Sequence, residues 1–191
     1  MKVSNGLTTA EELQLIKLMG KLKAKWTPKL YQAMAPNFAL TAVETVFLTK
    51  SGDELYVLLH NRPQDDIPEW RNKPASPGSM VRANDIKTRF NGFENAILRV
   101  QKNELGNVPI MVSEKPVGAI FRISARGAEN SVIFVCRLVT DPFDFKSLDE
   151  PPIPGFWWQP VSQLPKDLID DHDKIIDIAC KHWYTVNKIS V

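Results

Sequence analysis

The sequence is short of cysteine, of net charge, of long apolar runs and of repeats, and each shortage closes off a class of protein. Two cysteines among 191 residues, Cys136 in an apolar run and Cys180 in a helical pattern, show no metal-ligand spacing. They also lack the density of a secreted disulfide scaffold, so two reduced, buried thiols are expected. Lys and Arg number 24 against 22 Asp and Glu, for a net charge of +2. That balance offers no broad electrostatic footprint for nucleic acid or an acidic membrane, and neither partner is expected. No run approaches membrane-spanning length. The stretch "MKVSNGLTTAEELQLIKLMGKLKAKW" lacks a continuous apolar core followed by a small-residue cleavage site, so a cytoplasmic protein is expected. The length suits one domain with a substantial core and an extension.

What is present divides near residue 36. Thr8 or Thr9 followed by Glu11-Glu12 predicts a helix start. Leu13, Ile16, Leu18 and Leu22 then form a helical stripe, with lysines towards the end where the macrodipole favours cations. "PKLYQAM" predicts a second short helix that Pro36 stops. The apolar stripe of the first helix makes a homodimer one expectation.

Beyond that point the periodicity changes. "LTAVETVFLT" and "ELYVLLH" predict two strands about the turn "KSGD". "NRPQDDIPEWRNKPASPGS" is too rich in Pro and polar residues for regular structure, and predicts a loop into a short strand near "GSMV". A helix is predicted over 92–105: Asn91 caps it, Glu94 completes a capping box, Phe93, Ala96, Ile97 and Val100 form its apolar side, and Gly106 stops it. "PVGAIFRISA" and "SVIFVCRLV" predict a hairpin about "RGAEN", and "FWWQPVSQLP" a short strand and corner. "LIDDHDKIIDIACKHWYTV" predicts a final amphipathic helix. Strands and helices mixed without a regular βαβ repeat predict an α/β fold, a mixed sheet with helices on its faces.

In this order the stretches resemble the Nudix hydrolase superfamily. Its motif is Gly, five residues, Glu, seven residues, then Arg-Glu-U-x-Glu-Glu-x-Gly-U, with U bulky and apolar. "PASPGSMV" resembles the entry to that motif and "NGFENAILRVQKNELGN" its loop-helix remainder. "YVLLHNRP" resembles the strand that runs into an arginine, and "GFWWQPVSQLP" the aromatic strand before the last helix. The resemblance implies an α/β/α sandwich with a mixed β-sheet over 37–191, preceded by an N-terminal helical extension over 1–36. It also implies a nucleotide-like small-molecule ligand, a divalent ion (Mg2+ or Mn2+), and hydrolysis of a nucleoside diphosphate linked to another group.

The motif is altered where its chemistry lies. With Arg99 as the motif arginine, Val100 stands at an acidic position, Gln101 at the apolar one, and Asn103-Glu104 at the Glu-Glu pair. Gly106 is in place, the first Glu falls on Asn91, and "RANDIKTR" (82–89) resembles an insertion in which Asp85 is the one acidic residue. Only Glu104 is left of the acidic set. A hard cation wants several oxygen ligands, and one carboxylate serves when substrate phosphates supply the rest. The alternative reading is therefore a catalytically inactive Nudix-fold module that binds a nucleotide or a protein.

Site candidates follow from the resemblance, each with a structural counterpart. Glu104 is the metal ligand and catalytic carboxylate, or a helix residue with a structural partner. Arg99 belongs to the catalytic motif, or holds the preceding loop by charge-assisted hydrogen bonds. Arg62, Gly78 and Ser79 would meet the diphosphate, or be a surface arginine and a plain turn. Asp149, Glu150 and His172 are the candidate bases, with Asp144 in the same loop; loop acidity and a packed-helix histidine are the alternatives. Trp70, Phe156, Trp157 and Trp158 would stack on a nucleobase, or pack in the core on alternate strand faces.

Overall fold

Thr8 begins the first helix for a local reason. Its hydroxyl accepts the Glu11 N–H at 3.3 Å, while the Glu11 carboxylate takes the Thr8 N–H at 2.7 Å, a reciprocal capping box. Helix α1 (Thr9–Met19) buries none of its residues, and Leu13, Ile16 and Leu18 are exposed. The computed structural model describes residues 7–19, 21, 29, 30, 33, 40–82, 85, 92–139 and 153–188. The chain divides into two units, Met1–Met34 and Ala35–Val191. Lys29, Leu30 and Ala33 are helical, within the stretch predicted for the second short helix.

Among the described residues the second unit is built on an eight-stranded mixed sheet. Strand β1 (Leu40–Ser51) turns through Gly52, at φ +59°, into β2 (Glu54–Asn61). A two-residue hairpin turn needs that left-handed position, which glycine takes without strain. Short strands β3 (Pro74–Ala75) and β4 (Gly78–Met80) pair antiparallel with β2 and β1 respectively. Helix α2 (Gly92–Asn103) follows, then β5 (Ile110–Val112), β6 (Gly118–Ser124), β7 (Gly127–Leu138), β8 (Phe156–Pro160) and helix α3 (His172–Lys188). The sheet is mixed because β1 and β7 run parallel over Leu40–Phe47 and Glu129–Cys136, while the other pairings are antiparallel.

Side-chain alternation divides the sheet's apolar residues between two cores. Val43, Phe47, Leu58, Phe134 and Cys136 meet Ala96, Ile97 and Val100 of α2 on one face. Val46, Leu48, Val57, Leu59, Ile133 and Val135 meet Ile175, Ile176, Ala179 and Trp183 of α3 on the other. Both free cysteines are buried, as expected. Helices on both faces of a mixed sheet make this the α/β/α sandwich.

The differences from expectation have physical causes. "RGAEN" is not a five-residue turn: Ala125-Arg126 alone reverse the chain, and Gly127 to Asn130 continue the strand because Glu129 is paired into the interior. β5 was not expected; it completes the edge of β7 beyond the reach of β6. The last helix begins at His172 rather than Leu168. Ile169 packs with Trp70 and Ala75 in a separate small cluster, and Asp171 at φ +56° turns the chain into the helix. α2 ends at Asn103; Gly106 at φ +61° breaks it, and the Asn107 N–H closes on the Gln101 carbonyl at 2.9 Å. Asn91 lies outside the described residues, and Glu94 is exposed in the first turn of α2.

Candidate functional site

A charged pocket forms where the start of β1 meets β4, β6 and the first turn of α3. Buried charges require partners, because removing an ion from water costs several kcal/mol. Here the partners are arranged as a chain. Arg122 of β6 reaches Glu44 Oε1 and Glu129 Oε2, both at 3.1 Å, and Arg126 Nε reaches Glu129 Oε1 at 2.8 Å. Ser131 donates to Glu44 Oε1 at 3.3 Å. Burial pushes the Glu44 carboxyl above its ordinary value, against the pull of Arg122. Arg122 also donates to the Asp170 carbonyl, tying β6 to the lead-in of α3.

His172 opens α3 and points into the same interior. Its Nδ1 accepts the Ser76 N–H at 3.2 Å and lies 3.0 Å from the Ser76 hydroxyl. Burial, reinforced by Arg122, holds the ring well below its usual pKa, so it is neutral. A backbone N–H on Nδ1 fixes the tautomer: the proton sits on Nε2, 3.9 Å from Glu44 Oε2.

Together Glu44, Arg62, Ser76, Ser79, Arg122, Arg126 and His172 line a pocket of about 40 Å³, which Gly78 and Trp70 also border. Trp70 does not offer a free face to a nucleobase. It is 1% exposed, its Nε1 donates to Asp170 at 2.8 Å, and the guanidinium of Arg126 lies 4.1 Å from its ring. Arg62 pairs with Asp66 at 2.5 Å on the other approach. A larger open groove beside Ser51, Glu54 and Tyr184 contains none of the residues singled out from the sequence.

Gly78 has to be glycine for a steric reason. A Cβ there would stand 2.6 Å from Glu44 Oε2 and 3.0 Å from the Val43 carbonyl. We expect Gly78→Ala to cost about 1–3 kcal/mol, the usual range for overpacking, and to displace the Glu44 carboxylate. Thermal unfolding and the affinity for ADP, measured side by side, check this; an unchanged variant would show that the strand can shift freely.

Glu104 is placed differently. Its Oε2 faces His60 Nε2 of β2 at 3.8 Å, and neither atom has a hydrogen-bond partner among the described residues. The Gly78 backbone holds the carboxylate from one side, and His60 is fixed by stacking on Phe156 at 4.9 Å. Burial raises the Glu104 carboxyl to about 7 and lowers His60 to about 4. Both shifts favour the uncharged forms, so the two buried groups face each other as a neutral pair.

Arg99 reaches back from α2. It pairs with Asp85 of the insertion and donates to the Met80 carbonyl at 2.6 Å, fastening β4 to the helix. Asp144, Asp149 and Glu150 lie outside the described residues. In β8, Trp158 packs into the core on the α2 side, Trp157 lies half-buried on the α3 side, and Phe156 stacks over His60. Glu44, Arg122 and Glu129 were not singled out from the sequence. For Glu44 and Arg122 the signal was present: each is a charge set inside an otherwise apolar strand.

No family model matches the chain, and no curated protein matches it in sequence. Solved structures do. The Nudix domain of Shewanella oneidensis NrtR, complexed with ADP ribose, is similar at 20% identity and a TM-score of 0.55, over 93% of this chain and 99% of that one. The Ap4A hydrolase of C. elegans is similar at 12% identity and a TM-score of 0.51, over 78% of this chain and 99% of that one. This is the Nudix fold. Shewanella oneidensis NrtR complexed with a 27mer DNA is similar at 20% identity and a TM-score of 0.53, over 76% of this chain and 62% of that one. The expectation that nucleic acid is no partner therefore finds no support in the neighbours of this fold. Among the described residues no helix is long and apolar enough to cross a membrane.

Within the Nudix frame, the donor set for a divalent ion can be tested residue by residue. Val100 is fully buried in the α2 core, Asn103 is exposed and uncharged, and Glu104 Oε2 is turned to His60. Among the described residues no three His, Cys, Asp or Glu side chains converge as a metal centre. Among the described residues these side chains form no closed cage for a hard cation; Glu104 is the one box carboxylate left to it, and substrate phosphates and water would have to supply the other oxygens.

Proposed function

We propose that the chain is a Nudix-fold hydrolase acting on a nucleoside diphosphate linked to another group, with the phosphates held at Arg62, Gly78 and Ser79. The observation that carries this reading is convergence. Arg62, Gly78, Ser79 and His172, singled out from separate stretches of sequence, line one pocket with Arg122 and Arg126. Guanidinium groups present paired donors that match phosphate oxygens.

The pocket's size narrows what enters it. A buried water occupies roughly 10–15 Å³ by a comparable measure, and drug-sized ligands need roughly 300 Å³ or more. About 40 Å³ suits one phosphoryl group and excludes a nucleobase, which would lie outside the mouth. The ADP ribose held by the NrtR domain is a ligand of this shape, two phosphates between two larger groups, and makes the first probe.

The test is product release from ADP-ribose, nucleoside diphosphate sugars, dinucleotides and nucleoside triphosphates, with magnesium, with manganese and with chelator. We expect turnover of at least one diphosphate-linked compound and little of the triphosphates; an inert protein across the panel sinks the hydrolase reading. A second reading starts from Val100, Asn103 and the turned Glu104: a module that binds the same phosphates without cleaving them. It predicts saturable ADP-ribose binding that is indifferent to chelator and leaves the ligand intact.

A further inference from the structure

A buried strand position normally carries an apolar side chain, and β1 has Val43, Val46 and Phe47 where that rule holds. Glu44 breaks it at 4% exposure. Arg122 and Ser131 answer only one of its two oxygens, Oε1. Oε2 accepts no hydrogen bond among the described residues and lies beside His172 in the pocket wall. Structural pairing with Arg122 accounts for half of this carboxylate and leaves the other half unexplained.

The other half has a geometry of its own. His172 Nε2 stands 3.9 Å from Glu44 Oε2, too far for a direct hydrogen bond. The Ser76 N–H on Nδ1 has placed the ring proton on Nε2, so the histidine presents a donor to the gap and the carboxylate presents an acceptor. A water seated beside this contact, on its pocket side, accepts from Nε2–H while one of its protons goes to Oε2. The missing Cβ of Gly78 leaves Oε2 room on its pocket side. Because both imidazole nitrogens are committed to donor or acceptor roles, His172 cannot itself take the proton without losing Ser76.

We propose that Glu44 is the proton acceptor for the attacking water in this pocket, and that His172 is a positioning residue whose tautomer Ser76 sets. The inference rests on the hydrolase reading above. The water oxygen forms a bond to one phosphorus of the diphosphate, the bridging P–O bond breaks, and the departing phosphate keeps that electron pair. The water proton passes to Glu44 Oε2 and is released to solvent after the products leave. The charged and polar groups around Glu44 are Arg122 of β6, Arg126 of the turn, Glu129 and Ser131 of β7, His172 of α3, and Glu104, whose carboxyl Glu44 helps to raise.

The experiment compares wild type, Glu44→Gln and His172→Asn in two assays: turnover of the panel compound that wild type cleaves fastest, and equilibrium binding of ADP. Glu44→Gln keeps the side-chain shape and an acceptor for Arg122. We expect its turnover to fall about 10²–10⁴-fold, the usual contribution of a positioned acid or base, with ADP affinity within about threefold. The acid limb of the kcat/KM pH profile should disappear with it. His172→Asn should lower kcat more than it raises KM and move that acid limb, which a purely structural histidine would not do. Equal turnover in wild type and Glu44→Gln overturns the assignment while leaving the hydrolase reading intact. Parallel loss of ADP binding and turnover makes Glu44 structural and overturns it as well. A wild type inert on the whole panel overturns both.

Discussion

Replacing Arg122 with Met should lower stability by about 3–5 kcal/mol, the range for removing one partner of a buried ion pair, measured by equilibrium urea unfolding. The side chain is 2% exposed and serves two buried carboxylates at once. Arg126 would still hold Glu129 through Oε1, so the stranded charge is chiefly that of Glu44. Met fills similar volume without a charge, which isolates electrostatics from packing. A stranded carboxylate is relieved by protonation, so the loss should shrink as pH falls. Combining Arg122→Met with Glu44→Gln should recover part of the loss, because the double variant no longer buries an unpaired anion. Additive losses in the double variant would mean that Arg122 acts through its bond to the Asp170 carbonyl instead.

The elements that the sequence revealed are those specified locally. "KSGD" between two alternating apolar runs makes the β1–β2 hairpin, and the spacing of Phe93, Ala96, Ile97 and Val100 makes the buried side of α2. The box departures were equally legible, since they are residue identities at fixed spacing. What escaped was pairing across long separations. Nothing near Glu104 in the chain points to His60, and the Trp70 stack with Arg126 depends on a loop folding back onto a hairpin turn. Glu129 was hidden for a different reason. It sits in "RGAEN", where Gly and Asn favour a turn reading, and the partnership with Arg122 and Arg126 overrides that local preference. A charge inside an apolar strand, as at Glu44 and Arg122, is the pattern that would have located the pocket.

Glu104→Gln should make the protein more stable at pH 8, by up to about 3 kcal/mol, and leave it nearly unchanged at pH 5. The Glu104 and His60 side chains keep only 23% and 12% of their exposure, and their facing atoms have essentially none. Burial, against the pull of Arg62, raises the folded-state pKa of Glu104 from 4.5 to about 7. The folded protein therefore holds this proton more tightly than the unfolded chain. Its stabilising effect is complete below 4.5 and is lost as pH rises through 7, where the buried carboxylate must ionise beside a lone pair. His60 runs the other way: burial lowers it from 6.5 to about 4, so stability is lost as pH falls from 6.5 through 4. Wild type should thus be most stable between about 4.5 and 6.5. Gln keeps the shape of the neutral acid and cannot ionise, so the alkaline loss disappears while the acid loss, which belongs to His60, remains. Urea unfolding at pH 5 and pH 8, with and without magnesium, separates the two roles available to this residue. A neutral acid buried against β2 gives the alkaline gain with or without the metal. A metal ligand gives the reverse, a wild type that magnesium stabilises at pH 8 and a variant that it does not.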